Sequence, residues 1–306
     1  MNKKDYKVSI VVNCRNGEKY LAKSLDSIFN QNFKNFEVIF FNNLSDDNSL
    51  KIASKYDERL KIINSSKILS LGEARLNALK EISGDLFCFL DVDDIMLPNR
   101  ISIQSGKLMK SHCIWSFGSY RKIDENGKVI KKISLKLDDA NIFDSLLSRY
   151  TVNFQSTMFK KEVIKMINPF FDPALSFSPD FNLIMKISLD HDPLIIKEPL
   201  IDYRIHKESL TSKSSHHIAD EFRTTIEELK KLVGLNSAHE ISLNRALKKY
   251  HWYKALQHVK NGEIKKAKSE LLLTNFLRYE YLFFFLVLWL PARQKIFLKL
   301  NDIFKN

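Results

Sequence analysis

The sequence predicts an α/β fold: a Rossmann-like, mostly parallel sheet with helices on both faces, followed by a helical C-terminal extension. Three observations carry that expectation. Short β-branched apolar runs alternate with amphipathic helical stretches over roughly the first 90 residues. Polar residues cluster just after those runs, and beyond about Lys207 the pattern is helical only.

The elements follow in chain order. VSIVVNC (Val8 to Cys14) reads as a strand; after a polar turn at Arg15-Asn16-Gly17 comes a helix with Leu21, Leu25, Ile28 and Phe29 on one face. The unit repeats with the strand FEVIFF (Phe36 to Phe41), an Asn/Asp/Ser-rich turn, a helix from about Leu50 to Tyr56 and the strand Lys61-Ile62-Ile63. A helix opened by Gly72-Glu73-Ala74-Arg75 leads into LFCFLD (Leu86 to Asp91). From Trp115 the alternation changes, because Trp115 to Ile123 and Val129 to Ile133 flank the turn Glu125-Asn126-Gly127. This second part is expected to be mixed or antiparallel. Helices are expected at Ile218 to Leu232, Ala238 to Val259 and Lys265 to Leu273, with a turn at Asn261-Gly262.

In a parallel sheet covered on both faces, ligands sit beyond the C-terminal ends of the strands. The polar clusters lie there: Asn13 to Asn16, Asn42 to Asp47, and Asp91 to Asp94. A dinucleotide site would need G-x-G-x-x-G after the first strand, and this turn has only Gly17, in a chain of eight glycines. NAD and FAD are disfavoured.

Length and composition agree with this outline. A chain of 306 residues, 44% hydrophobic and 27% charged, supports one large domain plus a smaller appendage. The net charge of +12 is uneven, since residues 207–306 hold 18 Lys+Arg against 10 Asp+Glu. A basic region faces nucleic acid, anionic lipid or phosphorylated ligand, but no aromatic-basic strand motif or recognition helix accompanies it, which disfavours nucleic acid. Cys14, Cys88 and Cys113 are widely separated, two within apolar runs, as expected of reduced thiols in the cytosol. MNKKDYKVSI carries no apolar segment ahead of the first strand, so no secretory signal is expected. His216-His217 and the later histidines lack zinc-ligand spacing, and no nucleophile elbow is evident.

YLFFFLVLWLPA (Tyr281 to Ala292) is uncharged but twelve residues long, against the roughly 20 a spanning helix needs. Arg293, Lys295, Lys299 and Lys305 follow, interleaved with Ile296, Phe297, Leu298 and Leu300. That pattern fits a helix lying in an anionic lipid interface; it equally fits a hydrophobic helix packed on the protein.

Asp91-Val92-Asp93-Asp94 gathers carboxylates at a sheet edge, where mutual repulsion is costly unless a cation joins them. Read alone, such a turn also serves as a solvated loop or helix cap. The wider pattern narrows the choice. The segment VSIVVNCRNGEKYLAKSLDSIFNQNFKNFEVIFFNNLSDDNS is followed by Gly72-Glu73-Ala74-Arg75-Leu76-Asn77, Gly84-Asp85 and FLDVDDIMLPNR ending at Arg100. Ser178-Pro179-Asp180-Phe181 and Tyr203-Arg204-Ile205-His206 complete it. In that order and combination the chain resembles the bacterial family-two glycosyltransferases of the A-type (GT-A) fold, through about residue 211.

The resemblance implies a catalytic, nucleotide-sugar-binding domain over 1–211 and a helical region over 212–306 with a membrane-interface segment at 276–305. It implies an inverting, metal-dependent transfer from a nucleotide-diphosphate donor, expected to be a UDP-sugar. The acceptor would be a hydroxyl of a polysaccharide, lipopolysaccharide or lipid-linked glycan, reached at the inner face of the cytoplasmic membrane. Carried over residue by residue, Asp91 lies toward the ribose and, with Asp93, among the ligands of the Mg²⁺ or Mn²⁺ that bridges the diphosphate; Asp94 supports them, and His206 binds the metal or a phosphate oxygen. Arg75 falls near the diphosphate; Asn13, Arg15, Glu18, Asn42, Asn43, Arg100 and Arg204 fall in the nucleotide-sugar site; Asp180 matches the catalytic base. The chain departs from the family at Asn42-Asn43, where two acidic residues commonly stand, and at Pro179, where the residue before the base is commonly acidic. These departures keep a catalytically silent sugar-nucleotide-binding protein in view; a nucleotidyltransferase would be expected to carry a basic, glycine-rich loop, of which NCRNGEKY is a poor version.

Overall fold

A computed structural model of the chain describes residues 6–135, 141–210, 217–234, 238–275, 279–290 and 293–304. The first five residues, His216, Lys305, the junction expected at 211/212 and parts of the expected interface segment lie outside them. The chain divides into two compact units, Met1–Ser209 and Leu210–Asn306.

The first unit runs β1 (Val8–Cys14), α1 (Glu18–Phe29), β2 (Phe36–Asn42), α2 (Ser49–Ala53), β3 (Leu60–Asn64), α3 (Leu71–Leu79), β4 (Leu86–Phe89), β5 (Ile95–Met96) and α4 (Arg100–Leu108). It continues with β6 (Trp115–Ile123), β7 (Val129–Ile133), α5 (Ile142–Ser148), a 3₁₀ turn (Phe154–Ser156), β8 (Met158–Lys160), α6 (Val163–Met166), α7 (Pro179–Ile187) and β9 (Leu194–Arg204). The strands form one sheet in the order β3-β2-β1-β4-β8-β6-β9-β5, with β7 paired to β6. β3, β2, β1 and β4 are mutually parallel. β8 joins antiparallel to both β4 and β6, and β9 runs parallel to β6. The sheet is therefore mostly parallel and mixed in its second half, as the sequence predicts.

The strands form because their apolar runs are buried on both faces: Val8, Ile10, Val11, Val12, Val38, Ile39 and Phe40 are all fully buried. Aromatic rings fill the space under the middle of the sheet, with Phe87 stacked on Phe159 at 5.2 Å and Phe89 edge-on to Phe171 at 5.5 Å. α3 starts at Leu71 because the Ser70 side chain accepts from the Glu73 N–H. The next residue is glycine for want of space: a Cβ on Gly72 would lie 2.0 Å from the Asp172 carbonyl oxygen. The β6–β7 turn closes as expected, with Gly127 at φ +93° and the Asp124 carboxylate accepting from the Asn126 and Lys128 N–H groups.

The second unit is helical: α8 (His217–Val233), α9 (Glu240–Lys260), α10 (Ile264–Leu273), α11 (Tyr279–Val287) and α12 (Arg293–Phe304). Ala255, Val259, Ala267, Leu271, Phe284, Val287, Leu288 and Phe297 make its core, and Trp252 stacks on Tyr281 at 4.7 Å. No described helix is long and apolar enough to cross a membrane. The Tyr281 stretch has a buried face and an exposed one. Tyr281, Phe284, Val287 and Leu288 are buried, whereas Leu282, Phe283, Leu286, Trp289 and Leu290 are exposed, Trp289 by 66%.

Candidate active site

The acidic turn hangs between β4 and β5, held from both sides. Leu90 N–H donates to the Val11 carbonyl, and the Ser24 hydroxyl of α1 donates to the Asp91 carbonyl at 3.2 Å. Beside it, the loops after β1 and β2 are stitched together. Asn43 N–H donates to the Cys14 carbonyl, Asp46 N–H to the Asn16 side chain, and Asn48 N–H to the Glu18 carboxylate. Asn16 takes φ +55°, a left-handed conformation that asparagine tolerates. Three strand ends thus meet beyond one edge of the sheet.

Each aspartate of the turn has its own partner. Asp91 Oδ2 accepts from Gln155 Nε2 at 2.6 Å, and Asp91 Oδ1 stands 3.7 Å from the Arg75 guanidinium. Asp93 Oδ2 meets His206 Nε2 at 2.8 Å. Asp94, 1% exposed, accepts from the Arg204 N–H through Oδ1, while its Oδ2 is buried without a hydrogen bond among the described residues. The three carboxylates bring ligand atoms within 4.8 Å of one another. Crowding has the expected cost. Burial first, then the Asp93 and Asp91 charges, raise Asp94 well above the carboxylate range. Burial pushes Asp91 up to about 7, with Arg75 pulling it down and Asp93 and Asp180 pushing it further up. Crowded carboxylate oxygens beside a histidine, those of Asp91 and Asp93 partly exposed and that of Asp94 buried, are a donor set suited to a hard divalent cation.

The expected site residues divide into three groups. Asp91, Asp93, Asp94, Arg75 and His206 come together around the turn. Asp180 belongs with them: it sits in the first turn of α7, half-buried, and its charge is felt at Asp91 and Tyr150. The unusual Pro179 occupies the first turn of that helix, where its missing N–H costs nothing. Asn13, at the end of β1, keeps both amide atoms buried without a hydrogen bond among the described residues, and Arg15 is exposed on the loop beyond.

The second group is engaged elsewhere. Asn42 donates to Asn64 Oδ1 and accepts from Ser45 N–H, while Asn43 both donates to and accepts from the Leu69 backbone. Their amides brace the loops after β2 and β3. Glu18 likewise accepts from the backbone and side chain of Asn48.

The third group lies within the scaffold. Arg100 and Arg204 are almost fully buried, and their guanidinium groups bind backbone carbonyls rather than facing an open site. Arg100 reaches the Thr157 carbonyl at 2.9 Å and the Gln104 side chain at 3.3 Å. Arg204 donates to the carbonyls of Asp93, Asp124 and Glu125, with its guanidinium carbon 4.6 Å from the centre of the Tyr20 ring. Both clamp the scaffold of the acidic turn, Arg204 directly.

Two polar residues of this site carry no sequence signal. Gln155 holds Asp91 from the 3₁₀ turn, and Tyr150 places its hydroxyl where the Asp180 and Arg75 charges are felt. Both follow a helix of ordinary composition and belong to no motif. Arg75 is fixed by rings, its guanidinium carbon lying 4.6 Å from Phe154, 5.5 Å from Phe171 and 5.7 Å from Phe89.

The family match falls on the same unit. The sequence profile described as glycosyl transferase family 2 matches residues 9–171. The UDP-Glc:alpha-D-GlcNAc-diphosphoundecaprenol beta-1,3-glucosyltransferase WfgD of Escherichia coli is 27% identical over 211 residues, covering 68% of this chain and 81% of that protein. An uncharacterized glycosyltransferase of Rickettsia bellii is 29% identical over 157 residues, covering 51% of this chain, which spans only 23% of that longer protein. Among solved structures, S. aureus TarS 1–349 in complex with UDP-GlcNAc superposes with a TM-score of 0.67 at 18% identity, over 88% of this chain and 81% of that one. At that identity the likeness concerns the fold.

Proposed function

The chain belongs to glycosyl transferase family 2, and from that premise we propose that it moves a sugar, with inversion, from a UDP-sugar to a hydroxyl of a polysaccharide, lipopolysaccharide or lipid-linked glycan. The observation that carries this reading is the meeting of Asp91, Asp93 and Asp94 with Arg75, His206 and the charge of Asp180 beyond the strand ends. The name of the WfgD relative, with its UDP-glucose donor and diphosphoundecaprenol acceptor, supports the donor class and the lipid-linked acceptor.

In this reading the roles follow from charge and position. Asp91, Asp93 and His206 would hold Mg²⁺ or Mn²⁺ with Asp94 as a supporting carboxylate, and Asp91 would also face the nucleotide. The bound cation supplies stabilisation of negative charge on the departing diphosphate, a Lewis-acid contribution worth several kcal/mol. Arg75, caged by three phenylalanines, adds a fixed positive charge on the same side without having to reorganise. Asp180 takes the proton of the acceptor hydroxyl as that oxygen attacks the anomeric carbon on the side opposite the leaving group. A single displacement inverts the centre. The catalytic role belongs to the first unit, expected over 1–211. The second unit, with its exposed apolar face and basic surroundings, works at the inner face of the cytoplasmic membrane as a peripheral protein.

The test is thermal stability of the pure protein against a panel of nucleotide sugars, with and without Mn²⁺, since a ligand at 100 times its dissociation constant adds about 2.7 kcal/mol. A metal-dependent rise with one donor, lost in Asp93→Ala, is the expected result and names the donor. If donors bind but the protein neither transfers nor hydrolyses them, the catalytic reading fails in favour of a silent sugar-nucleotide-binding protein.

A further inference from the structure

The site contains polar atoms that nothing in the fold accounts for. Gln155, 4% exposed, uses its amide nitrogen on Asp91 Oδ2, and its Oε1 is buried without a hydrogen bond among the described residues. Arg75, 3% exposed, directs one terminal nitrogen toward Asp91, and its Nη1 is buried and unpartnered in the same sense. The Tyr150 hydroxyl is a third such group, on a ring set edge-on to Phe181 at 5.1 Å, next to Asp180 in the chain. Buried polar groups without partners cost about 1–3 kcal/mol each, and proteins keep few of them. Three at one place, around the carboxylates that the donor reading puts at the reaction centre, call for a ligand.

The chemistry of that ligand can be read from the three groups. Gln155 Oε1 accepts only, and Arg75 Nη1 donates only. The Tyr150 hydroxyl does either; burial first, then the Asp180 charge, holds it protonated well above the ordinary tyrosine range. A ligand meeting all three has neighbouring groups that both donate and accept, as on a pyranose ring. A phosphate offers acceptors only and leaves Gln155 unmatched. A nucleobase would have to lie between Asp91 and Asp180, where the transfer takes place.

We propose that Gln155 and Tyr150, together with Arg75 Nη1, form the subsite that grips hydroxyl or amide groups of the transferred sugar and so selects the donor sugar. The subsite rests on the donor reading given above and goes beyond it, because neither Gln155 nor Tyr150 belongs to the acidic turn or the expected base. Gln155 has a second duty as a positioning residue, since its other end fixes the carboxylate of Asp91.

Tyr150→Phe gives an unusual test, because it deletes a buried hydroxyl that makes no hydrogen bond among the described residues and keeps the ring. Calorimetric titration would compare UDP with UDP-glucose, UDP-galactose and UDP-N-acetylglucosamine on wild-type protein, Tyr150→Phe and Gln155→Met. The quantity read is the ratio of the UDP-sugar affinity to the UDP affinity, which cancels any effect on the nucleotide end or on overall folding. We expect each substitution to lower that ratio about tenfold for the preferred sugar, and Tyr150→Phe to leave the melting temperature unchanged or raised. A ratio within twofold of wild type in both variants, or a wild-type protein that binds UDP and every UDP-sugar equally, overturns the subsite while leaving the glycosyltransferase reading intact. A wild-type protein that binds none of these ligands refutes the donor reading itself.

Discussion

The two units handle awkward residues in opposite ways. The first buries what is hard to bury: Asp94 beside two partly exposed aspartates, two almost fully enclosed arginines and a cluster of polar atoms without hydrogen bonds among the described residues. The second leaves outside what is hard to expose, a row of large apolar side chains from Leu282 to Leu290, on α11 and the turn after it. Neither arrangement is explained by stability, because each costs folding free energy relative to the ordinary placement. Such costs persist where a ligand or surface offsets them. As proposed above, that offset is a charged, hydroxyl-rich small molecule for the first unit and an apolar, anionic surface for the second.

The largest effect is expected from removing chemistry without touching the fold. Asp180→Asn should lower transfer by about 10²- to 10⁴-fold while donor binding by calorimetry stays nearly unchanged. Unaltered transfer would remove Asp180 from the role of base.

Next come substitutions on the two faces of one helix. Phe284→Ala should cost about 4 kcal/mol in denaturant unfolding of the second unit, since Phe284 is 1% exposed at the centre of its core. Leu286→Glu, at a position 57% exposed, should leave that stability within about 0.5 kcal/mol. Combined with Trp289→Glu, it should abolish co-flotation with vesicles of phosphatidylethanolamine and phosphatidylglycerol. Lys268, 3.2 Å from the Trp289 ring, and exposed Lys295 and Lys299 supply the matching charge. Full flotation of the double variant would leave the exposed face without a lipid role.

Gly72→Ala should destabilise the first unit by about 3 kcal/mol, because the added methyl meets backbone rather than a movable side chain. A melting temperature equal to wild type would mean that the Asp172 loop yields freely.

The smallest effect is one of pH. Burial favours protonation of Glu37, yet hydrogen bonds from Lys7, Ser9 and Ser83 win and hold its pKa at about 2, against an ordinary 4.5. A carboxyl depressed in this way stabilises the fold fully above pH 4.5, and that stabilisation is lost as pH falls toward 2. Unfolding followed between pH 5 and pH 2.5 should show wild type losing about 2 kcal/mol more than Glu37→Gln. Parallel curves would deny the bridge between β1, β2 and the Ser83 turn any such role.

Much of the first unit was legible because its signals are local. Period-two apolar runs, polar strand ends and an acidic turn are written in consecutive residues, and the elements from Val8 to Ile133 follow them closely. The arginines were harder to read. Sequence gives the charge of Arg100 and Arg204 but not whether it meets solvent or backbone carbonyls, and both turned inward. Gln155 and Tyr150 were illegible, since their meaning lies in what stands across from them. On α11 the composition indicated an apolar helix without saying that its two faces part company. That division depends on Trp252, Val259 and Phe297, which reach it from other helices.

The clamp on the acidic turn has a consequence for timing. Arg204 and His206 join Asp94 and Asp93 across separations of 110 and 113 residues. While the chain is being made, the four parallel strands β1 to β4 can pair long before β9 leaves the ribosome, so a nascent chain can hold its acidic turn from the side of Val11 and Ser24 before the β9 side closes on it. With the roles proposed above, catalytic competence would be one of the last properties this unit acquires during synthesis, after residue 206 has emerged.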